Sequence, residues 1–184
     1  LRPFLLVFGK NMSGKTTLLK QIGCLQIMSQ AGSFLPCSSQ NSECILRTKK
    51  QIMSLSGDYS DNINILNQSS FEQEMHDISS MIHNLENDSL LLIDELCRST
   101  YFLEGFALSL AICDYFLNTV LQTEKISNTY FAFATHFRHL AYLKCYYSKI
   151  DCQLIEPDDE ENECKIFQQG IFILGNFIRS QSEL

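Results

Sequence analysis

The sequence predicts an α/β protein with a mainly parallel sheet flanked by helices. Two kinds of segment alternate along its 184 residues, short apolar runs of strand length and longer stretches with helical periodicity. This alternation is typical of right-handed crossovers between parallel strands. In addition, a glycine-rich or acidic segment directly follows the clearest apolar runs. Because parallel strands end at a common edge, the sequence also predicts a functional site at that edge.

Composition limits the classes of protein that the chain can represent. Hydrophobic residues make up 45% of it, which allows a sizeable core and argues against disorder. The formal net charge is -7, a poor match to DNA phosphates, so we expect other segments or partner chains to contact DNA. No apolar run reaches the roughly 20 residues of a membrane span, and no membrane partner is predicted. The eight cysteines form no CxxC pair, which predicts reduced thiols in a cytosolic or nuclear protein.

The first strand and helix are predicted at the start of the chain. Residues 4–8, FLLVF, form an unbroken apolar run that ends at Gly9 and is typical of a buried central strand. Residues 16–30 follow with helical periodicity, and Gly32 is a suitable stop.

The middle of the chain is irregular until a second helix begins. Residues 36–66 are polar and predict loops, with one short strand near residues 52–55. Ser69 and Ser70 are good N-cap residues for the segment that follows. The apolar positions of that segment lie on one helical face: Phe71, Met75, Ile78, Ile82 and Leu85.

The second half of the chain repeats the alternation. Residues 90–93 predict a second buried strand, and residues 105–121 a long, mostly apolar helix. Residues 130–134 predict a third strand, followed by a short helix over residues 137–145.

An acidic run occupies residues 156–163 near the end of the chain. We interpret it as a solvated turn between two strands and consider an interaction tail as the alternative. Residues 165–174 are the strand that would close the sheet after it.

The segment after the first strand carries a phosphate-binding motif. GKNMSGKT, residues 9–16, matches the Walker A pattern G-x-x-x-x-G-K-[ST] at every fixed position and lies between a strand and a helix. Its backbone N–H groups and the start of the helix favour anions. Lys15 is expected to reach the β- and γ-phosphates of ATP, and the Thr16 hydroxyl to coordinate Mg²⁺. The predicted nucleotide-binding residues here are Gly9, Asn11, Met12, Ser13, Gly14, Lys15, Thr16 and Thr17.

Two acids end the second strand, in LLLIDE. Asp94 is placed to hold Mg²⁺ directly or through water, and Glu95 to polarise the attacking water. Many apolar runs followed by acids are ordinary strand ends, but the preceding phosphate loop favours ATP hydrolysis. An acid directly after the metal-binding Asp also argues against small-molecule kinases.

His136 follows the third strand, in FATH. A lone histidine is more often structural, but this strand is expected to end beside the γ-phosphate, which favours a sensing role for His136. His139 could form a metal pair with it; no further ligand is evident, so we discount that alternative.

These motifs together resemble the C-terminal ATPase domain of the MutS family of DNA mismatch-recognition proteins. The matching stretches are residues 9–36, residues 69–96, the RST…EG segment at residues 98–105, and FAFATHF. They follow the family order from about residue 4 to residue 140. NMSGK, the QIM run and the IDEL ending are most similar to the meiotic, crossover-promoting MutS homologues.

The resemblance implies an ABC-type ATPase that binds ATP and Mg²⁺ and works as a homo- or heterodimer with a second MutS-family subunit. Ser69 and Ser70, with Phe71, would face the γ-phosphate of the partner subunit. ATP would act as a switch for dimer closure and for a sliding clamp on DNA, in nuclear mismatch repair or meiotic recombination.

Three departures from the family pattern bear on activity. Lys10 replaces the usual proline beside the phosphates. The usual Gly-Arg-Gly-Thr after the acidic pair is Cys97-Arg98-Ser99-Thr100, so Cys97 or Ser99 would be strained if the backbone requires positive φ. The arginine that usually precedes the serine-led helix is replaced near Leu55. Cys97 and Ser99, together with the strands that are expected before the phosphate loop and are missing here, make a catalytically weak, ATP-dependent dimerisation module the alternative function.

Residues 1–184 are expected to be the ATPase domain alone. The family's mismatch-reading, connector, lever and clamp domains are not represented, nor are the strands that normally precede the phosphate loop. A fragment of a longer protein is favoured over an independent compact protein because a sheet edge would otherwise stay unpaired.

Overall fold

A computed structural model of the chain describes residues 3–36, 47–56, 69–98, 100–120 and 128–155, with the side chains of residues 119 and 120 left out. Five strands and four α-helices alternate within these ranges. The strands are β1 Phe4–Gly9, β2 Gln51–Ser56, β3 Ser89–Asp94, β4 Tyr130–Thr135 and β5 Ile150–Ile155. The helices are α1 Lys15–Gln30, α2 Ser70–His83, α3 Phe102–Tyr115 and α4 Leu143–Tyr146, with a π-helical turn at Phe116–Val120 and a 3₁₀ turn at Arg138–Tyr142.

The five strands form one parallel sheet in the order β2-β3-β4-β1-β5. The registers align the strand ends, since Asp94 of β3 lies opposite Ala134 of β4 and Phe8 of β1 lies opposite Thr135. The segments that follow β1, β3 and β4 therefore meet at one carboxyl edge. This common edge is where the sequence predicts the site.

Helices cover both faces of the sheet, which explains why its central strands are continuous apolar runs. Alternate residues of β1 point to opposite layers, with Leu5 and Val7 packed on the α1 side and Phe4 and Leu6 on the other. The α1 layer is completed by Leu18, Leu19, Ile22, Leu90, Leu92 and Tyr130. The second layer includes Ile78, Met81, Leu91, Ile93, Cys113, Phe116, Phe131 and Phe133. Burial of each large apolar side chain contributes about 1.5–3 kcal/mol to folding.

Helix ends are set by local backbone geometry. α1 ends at Gln30, and Gly32 shortly after it has a φ of 72°, which lies in the left-handed region. The Ser33 N–H donates to Met28 O and the Gly32 N–H to Ser29 O, which is the Schellman arrangement. The predicted helix stop at Gly32 is confirmed. No helix within the described ranges combines the length and hydrophobicity that crossing a bilayer requires.

The predicted strands near residues 4–8, 52–55, 90–93 and 130–134 are all present, as are the helices that follow the phosphate loop and Ser69. Two helix predictions require correction. The third helix begins at Phe102, three residues before the predicted start at Gly105, and its last turn is π-helical. The short helix predicted over residues 137–145 is divided into the 3₁₀ turn and α4.

The acidic run was predicted to be a turn between two strands, and no bounds were predicted for the strand that precedes it. That strand is β5, which pairs with β1. The acidic run itself and the predicted strand over residues 165–174 lie outside the described residues.

Candidate functional site

The phosphate loop requires backbone conformations that few side chains allow. Gly14 has a φ of 94° and Met12 a φ of 63°, so the chain turns sharply before α1. A Cβ on Gly9 would lie 2.3 Å from Ile155 O and 2.5 Å from Ser13 Oγ, so only glycine fits there. The Met12 side chain is almost fully exposed, which leaves its backbone as the part that shapes the loop.

Lys15 is folded back into this loop. It is 3% exposed, and its Nζ donates to Gly9 O at 3.1 Å and to Lys10 O at 2.9 Å. The same Nζ lies 3.1 Å from Glu95 Oε1. A buried ammonium requires such partners because an unpaired charge is costly away from water. Lys15 thus links the end of β1 directly to the end of β3.

Asp94 and Glu95 leave the end of β3 in different conformations. Asp94 is the last residue of the strand and is 9% exposed. Glu95 has a φ of 48°, and its N–H donates to Ala134 O at 2.9 Å. Its second carboxylate oxygen lies 3.6 Å from Arg98 Nη1. The left-handed turn at Glu95 separates two consecutive carboxylates and directs the second one to Lys15.

His136 follows β4 and belongs to the same cluster of charges. Burial lowers the pKa of its imidazole; the charge of Glu95 opposes this shift, and the charges of Lys15 and Arg98 reinforce it. A lowered pKa favours the neutral imidazole at pH 7, which can donate one hydrogen bond and accept another. The structure therefore brings three of the residues predicted from sequence, Lys15, Glu95 and His136, within electrostatic range of one another.

The turn after Glu95 carries a further strained residue. Cys97 has a φ of 60° at a position where the pattern of the resembled family has glycine. The predicted strain at Cys97 is therefore confirmed. Ser99, the other altered position, lies outside the described residues. Cys97 is 1% exposed, and burial raises the pKa of its thiol to about 11, which makes the thiol unreactive at pH 7.

Sequence reasoning missed Glu74, which holds this turn from the α2 side. Glu74 is 2% exposed, and its Oε1 accepts a hydrogen bond of 2.8 Å from the Cys97 N–H. Burial raises the pKa of the carboxyl, and the hydrogen bond from Cys97 opposes that shift. The sequence did contain a signal, because Glu74 lies on the apolar face of α2 between Phe71 and Ile78.

The start of α2 is an exposed helix N-terminus with a complete capping box. Ser69 Oγ accepts from the Glu72 N–H at 3.2 Å, and Glu72 Oε2 accepts from the Ser69 N–H at 3.1 Å. Ser69 and Ser70 are both exposed. The predicted N-cap is confirmed, but the Ser69 hydroxyl is engaged within the helix, and Glu72 adds a negative charge beside it.

Three features of the phosphate loop suit a bound phosphate group. The close approach at Gly9 and the positive φ at Gly14 shape a backbone cradle that a side chain would fill. The first N–H groups of α1 have no side-chain cap, so donors are directed toward the loop. Ser13 Oγ is buried with no hydrogen-bond partner among the described residues. Thr16 and Asp94 supply the oxygen ligands that Mg²⁺ prefers.

The parallel sheet, the phosphate loop after β1 and the acidic pair after β3 define the class of P-loop NTPase folds. Within that class, residues 5–172 match the family model described as MutS domain V, which has the ABC-type ATPase fold. The chain belongs to the MutS family.

Several relatives share this similarity. MutS protein homolog 4 of Homo sapiens is 38% identical over 160 residues, covering 86% of this chain and 16% of the relative. MutS protein homolog him-14 of Caenorhabditis elegans is 36% identical over 164 residues, covering 89% and 18%. The DNA mismatch repair protein MutS of Chlorobium chlorochromatii is 32% identical over 143 residues, covering 78% and 15%. The chain thus spans less than a fifth of the length of each of these relatives.

Proposed function

We propose that this chain is the ATP-binding and ATP-hydrolysing module of a MutS-type protein. The observation that carries the proposal is the convergence of Lys15, Glu95 and His136 at the carboxyl edge of the sheet. A cation, a carboxylate and a neutral imidazole from three separate strand ends are the groups that phosphate binding and water activation require.

Each residue has a distinct part in the proposed reaction. The loop amides and Lys15 bind the phosphates, with Lys15 exchanging the Gly9 and Lys10 carbonyls for phosphate oxygens. Thr16 and Asp94 hold Mg²⁺, which when bound neutralises phosphate charge. Glu95 accepts a proton from the attacking water, and His136 donates a hydrogen bond near the terminal phosphate. The buried surroundings strengthen these interactions because the local dielectric is low.

The decisive measurement is Mg²⁺-dependent ATP turnover in Glu95→Gln. The amide keeps the shape of the side chain but cannot accept the proton, so we expect turnover to fall at least about 100-fold while ATP binding is retained. The dissociation constant for ATP, measured by equilibrium dialysis, distinguishes the two effects. Equal turnover in Glu95→Gln and the parent chain would exclude the assigned role of Glu95.

A matched variant checks that the measured activity belongs to this site. Lys15→Ala removes the ammonium that the phosphates require, so both ATP binding and turnover are expected to be lost. Lys50→Ala removes an exposed ammonium that pairs with Asp88 at the opposite edge of the sheet, and it serves as the control with unchanged binding and turnover. Turnover that persists in Lys15→Ala would indicate a contaminating ATPase.

The second function to consider is an ATP-dependent dimerisation module without significant turnover. The specific observation that favours it is the left-handed backbone at Cys97, which places a strained residue two positions after Glu95. This function predicts ATP-dependent dimers and hydrolysis no faster than the background. Hydrolysis that is abolished in Lys15→Ala would contradict it.

The wider setting of the module is also part of the proposal. The relatives include proteins named as DNA mismatch repair proteins, which supports a role at mismatched or branched DNA. We propose that the module works in the nucleus with a second MutS-family subunit, in mismatch repair or meiotic recombination. The net charge of -7 supports the proposal that other segments or partner chains make the main DNA contacts. Affinity for duplex DNA comparable to that of a basic DNA-binding domain would contradict this division of roles.

A further inference from the structure

We propose that Glu74 is a positioning residue for Glu95, because it fixes the turn that carries Glu95 from the neighbouring helix. The inference rests on the proposed ATPase function. Glu74 contacts neither the phosphate loop nor the acidic pair in the observed hydrogen bonds, and it acts through the Cys97 N–H.

The turn between β3 and α3 departs from regular helical or strand geometry at two of its residues. Glu95 and Cys97 both have positive φ, at 48° and 60°, and neither residue type favours that conformation. Such strain persists only where the surroundings determine the conformation. The turn therefore requires contacts that compensate for it on more than one side.

Two hydrogen bonds from different elements fix the backbone of this turn. On the β4 side, the Glu95 N–H donates to Ala134 O at 2.9 Å. On the α2 side, the Cys97 N–H donates to Glu74 Oε1 at 2.8 Å. Between them, Leu96 is buried at 1% exposure and anchors the turn in the core. Glu95 is thus held between a strand and a helix rather than carried on a free loop.

Burying a carboxylate at this position costs free energy, and packing alone would not require a carboxylate there. Glu74 is 2% exposed on a helical face whose neighbouring positions, Phe71 and Ile78, are apolar. A leucine or methionine would fill the same space without desolvating a charge. What the carboxylate adds is an acceptor for the buried Cys97 N–H, which would otherwise be unsatisfied.

The same bond joins Glu95 to the start of α2. Glu74 lies five residues after the N-cap Ser69, within the second turn of the helix. A rigid displacement of α2 is transmitted through Glu74 to the turn that orients Glu95, since both ends of the contact are buried. The orientation of the carboxylate toward Lys15 then depends on where α2 lies.

The test compares two substitutions of Glu74 in the full 184-residue chain. Glu74→Met removes the acceptor and keeps the volume, so we expect kcat to fall about 10-fold or more, with the dissociation constant for ATP changed by less than about 3-fold. Glu74→Gln keeps an acceptor oxygen, and we expect its kcat to remain within about 3-fold of the parent chain. Rescue by glutamine would separate hydrogen bonding from charge.

Amide hydrogen exchange of the nucleotide-free chain provides a readout that does not depend on hydrolysis. The segment 95–98 is expected to exchange about 10-fold faster or more in Glu74→Met, while β3 retains its protection. If the parent chain shows no turnover, the proposed ATPase function fails, and the exchange result still tests whether Glu74 holds the turn.

Gln26→Leu is the matched control. Gln26 is also 2% exposed on a helix, and its Nε2 donates to Arg47 O at 2.9 Å on the α1 side of the sheet. It is expected to lower stability without a selective loss of kcat or faster exchange in segment 95–98. Glu74→Asp, which withdraws the carboxylate by one methylene, replaces Glu74→Met if the latter does not fold. An unchanged kcat, or an equal loss of ATP binding, turnover and global protection, would overturn the proposal.

Discussion

Polar residues lie at both the amino and the carboxyl edge of the sheet, but the two edges use them differently. At the amino edge, where the strands begin, Ser89 Oγ donates to Glu86 O at 2.7 Å and Lys49 Nζ donates to Asn128 O at 2.7 Å. Both bonds have backbone carbonyl acceptors, one within the loop before β3 and one between the segments that precede β2 and β4. At the carboxyl edge, Lys15 and Glu95 form an ion pair whose members come from different strand ends.

The two edges differ more in the backbone strain of their residues than in the polarity of their side chains. Positive φ occurs at Asp88 and Asn128 near the amino edge, where these residue types adopt it readily. At the carboxyl edge it occurs at Met12, Glu95 and Cys97, for which it costs about 1–3 kcal/mol each. Strain in unsuited residue types, together with buried charge, therefore marks the candidate site, whereas polar strand ends alone do not.

His136 provides the largest expected effect at the carboxyl edge. Because burial lowers the pKa of its imidazole, the side chain is neutral at pH 7, and replacing it with asparagine is expected to reduce kcat about 100-fold. Titration of the imidazole by NMR in the nucleotide-free chain should give a pKa below 6.5. Since the unfolded state then binds more protons, the stability contribution of His136 is lost as pH falls below 6.5. A pKa above 6.5, or normal turnover in His136→Asn, would place His136 outside the site.

Lys49 lies at the amino edge, where we expect a substitution to change stability but not ATP turnover, in contrast to His136. Burial lowers its pKa to about 8, against the opposing charge of Asp88, and its Nζ lies 4.0 Å from the centre of the Tyr130 ring. Between pH 8 and the unfolded value of 10.5, the unfolded state holds more protons, so the folded state gains stability as pH rises. The gain from Lys49 is about 2 kcal/mol between pH 8 and about pH 9.5.

The measurement is the difference in the free energy of unfolding between the parent chain and Lys49→Met across this pH range. The difference is required because Cys97 and Cys113 have raised pKa values, which lower stability in both proteins as pH rises above 9. ATP turnover is expected to be the same in the two proteins at pH 7.5. A parallel pH dependence of stability in both would show that Lys49 does not titrate in this window.

Cys97 offers a smaller effect that tests the strain itself. At a φ of 60°, glycine is favoured over alanine, so Cys97→Gly should be more stable than Cys97→Ala by about 1 kcal/mol in urea unfolding. Cys113 is the matched control because it is equally buried but lies inside α3. There the order is reversed, with Cys113→Gly less stable than Cys113→Ala by about 1 kcal/mol. The same order at both positions would contradict the strained conformation.

The parts of the fold that sequence predicts well are those where both faces of a strand are buried. β1, β3 and β4 are continuous apolar runs and were located to within a residue or two. β5 is an outer strand of the described sheet whose interior includes Asp151 and Gln153, so it lacks that pattern. Its pairing with β1 depends on contacts distant in sequence, which local patterns do not contain.

Gly105 shows how a local rule can give the wrong boundary. The mostly apolar third helix was predicted to start at Gly105, but Gly105 lies within α3. A Cβ there would lie 3.0 Å from Cys97 O, which is closer than most side chains come to a neighbouring backbone. The glycine therefore marks a close approach to the strained turn rather than a helix end, and only the tertiary structure reveals this.

Some residues of the candidate site could likewise be predicted from sequence, and one could not. The phosphate loop, Asp94, Glu95 and His136 could be predicted because each follows a recognisable strand. The contact between Glu74 and Cys97 could not be predicted from sequence, because Glu74 lies on α2 and Cys97 lies beyond the following strand, β3. Its charge on an apolar helical face was the available signal.

Substitution of Glu72 has the smallest expected effect, a change in dimer affinity. Glu72 lies at the exposed surface of the carboxyl edge, not in its buried part. Its carboxylate completes the capping box and places a negative charge at the exposed start of α2, where we propose that a partner's phosphates bind. Glu72→Gln keeps the capping box, since glutamine accepts the same bond, and removes only the charge. ATP-dependent dimerisation in a Glu95→Gln background is therefore expected to tighten about 2- to 5-fold, as measured by analytical ultracentrifugation.

Glu86→Gln is the control for this comparison, because Glu86 is an exposed acid near the amino edge. It changes the net charge by the same amount but lies away from the proposed partner, so the dimer affinity should stay that of the parent chain. Association without nucleotide should also be equal in all three proteins. If Glu72→Gln and Glu86→Gln tightened the dimer equally, general repulsion between acidic subunits would explain the effect, and the start of α2 would not be the surface that meets the partner's phosphates.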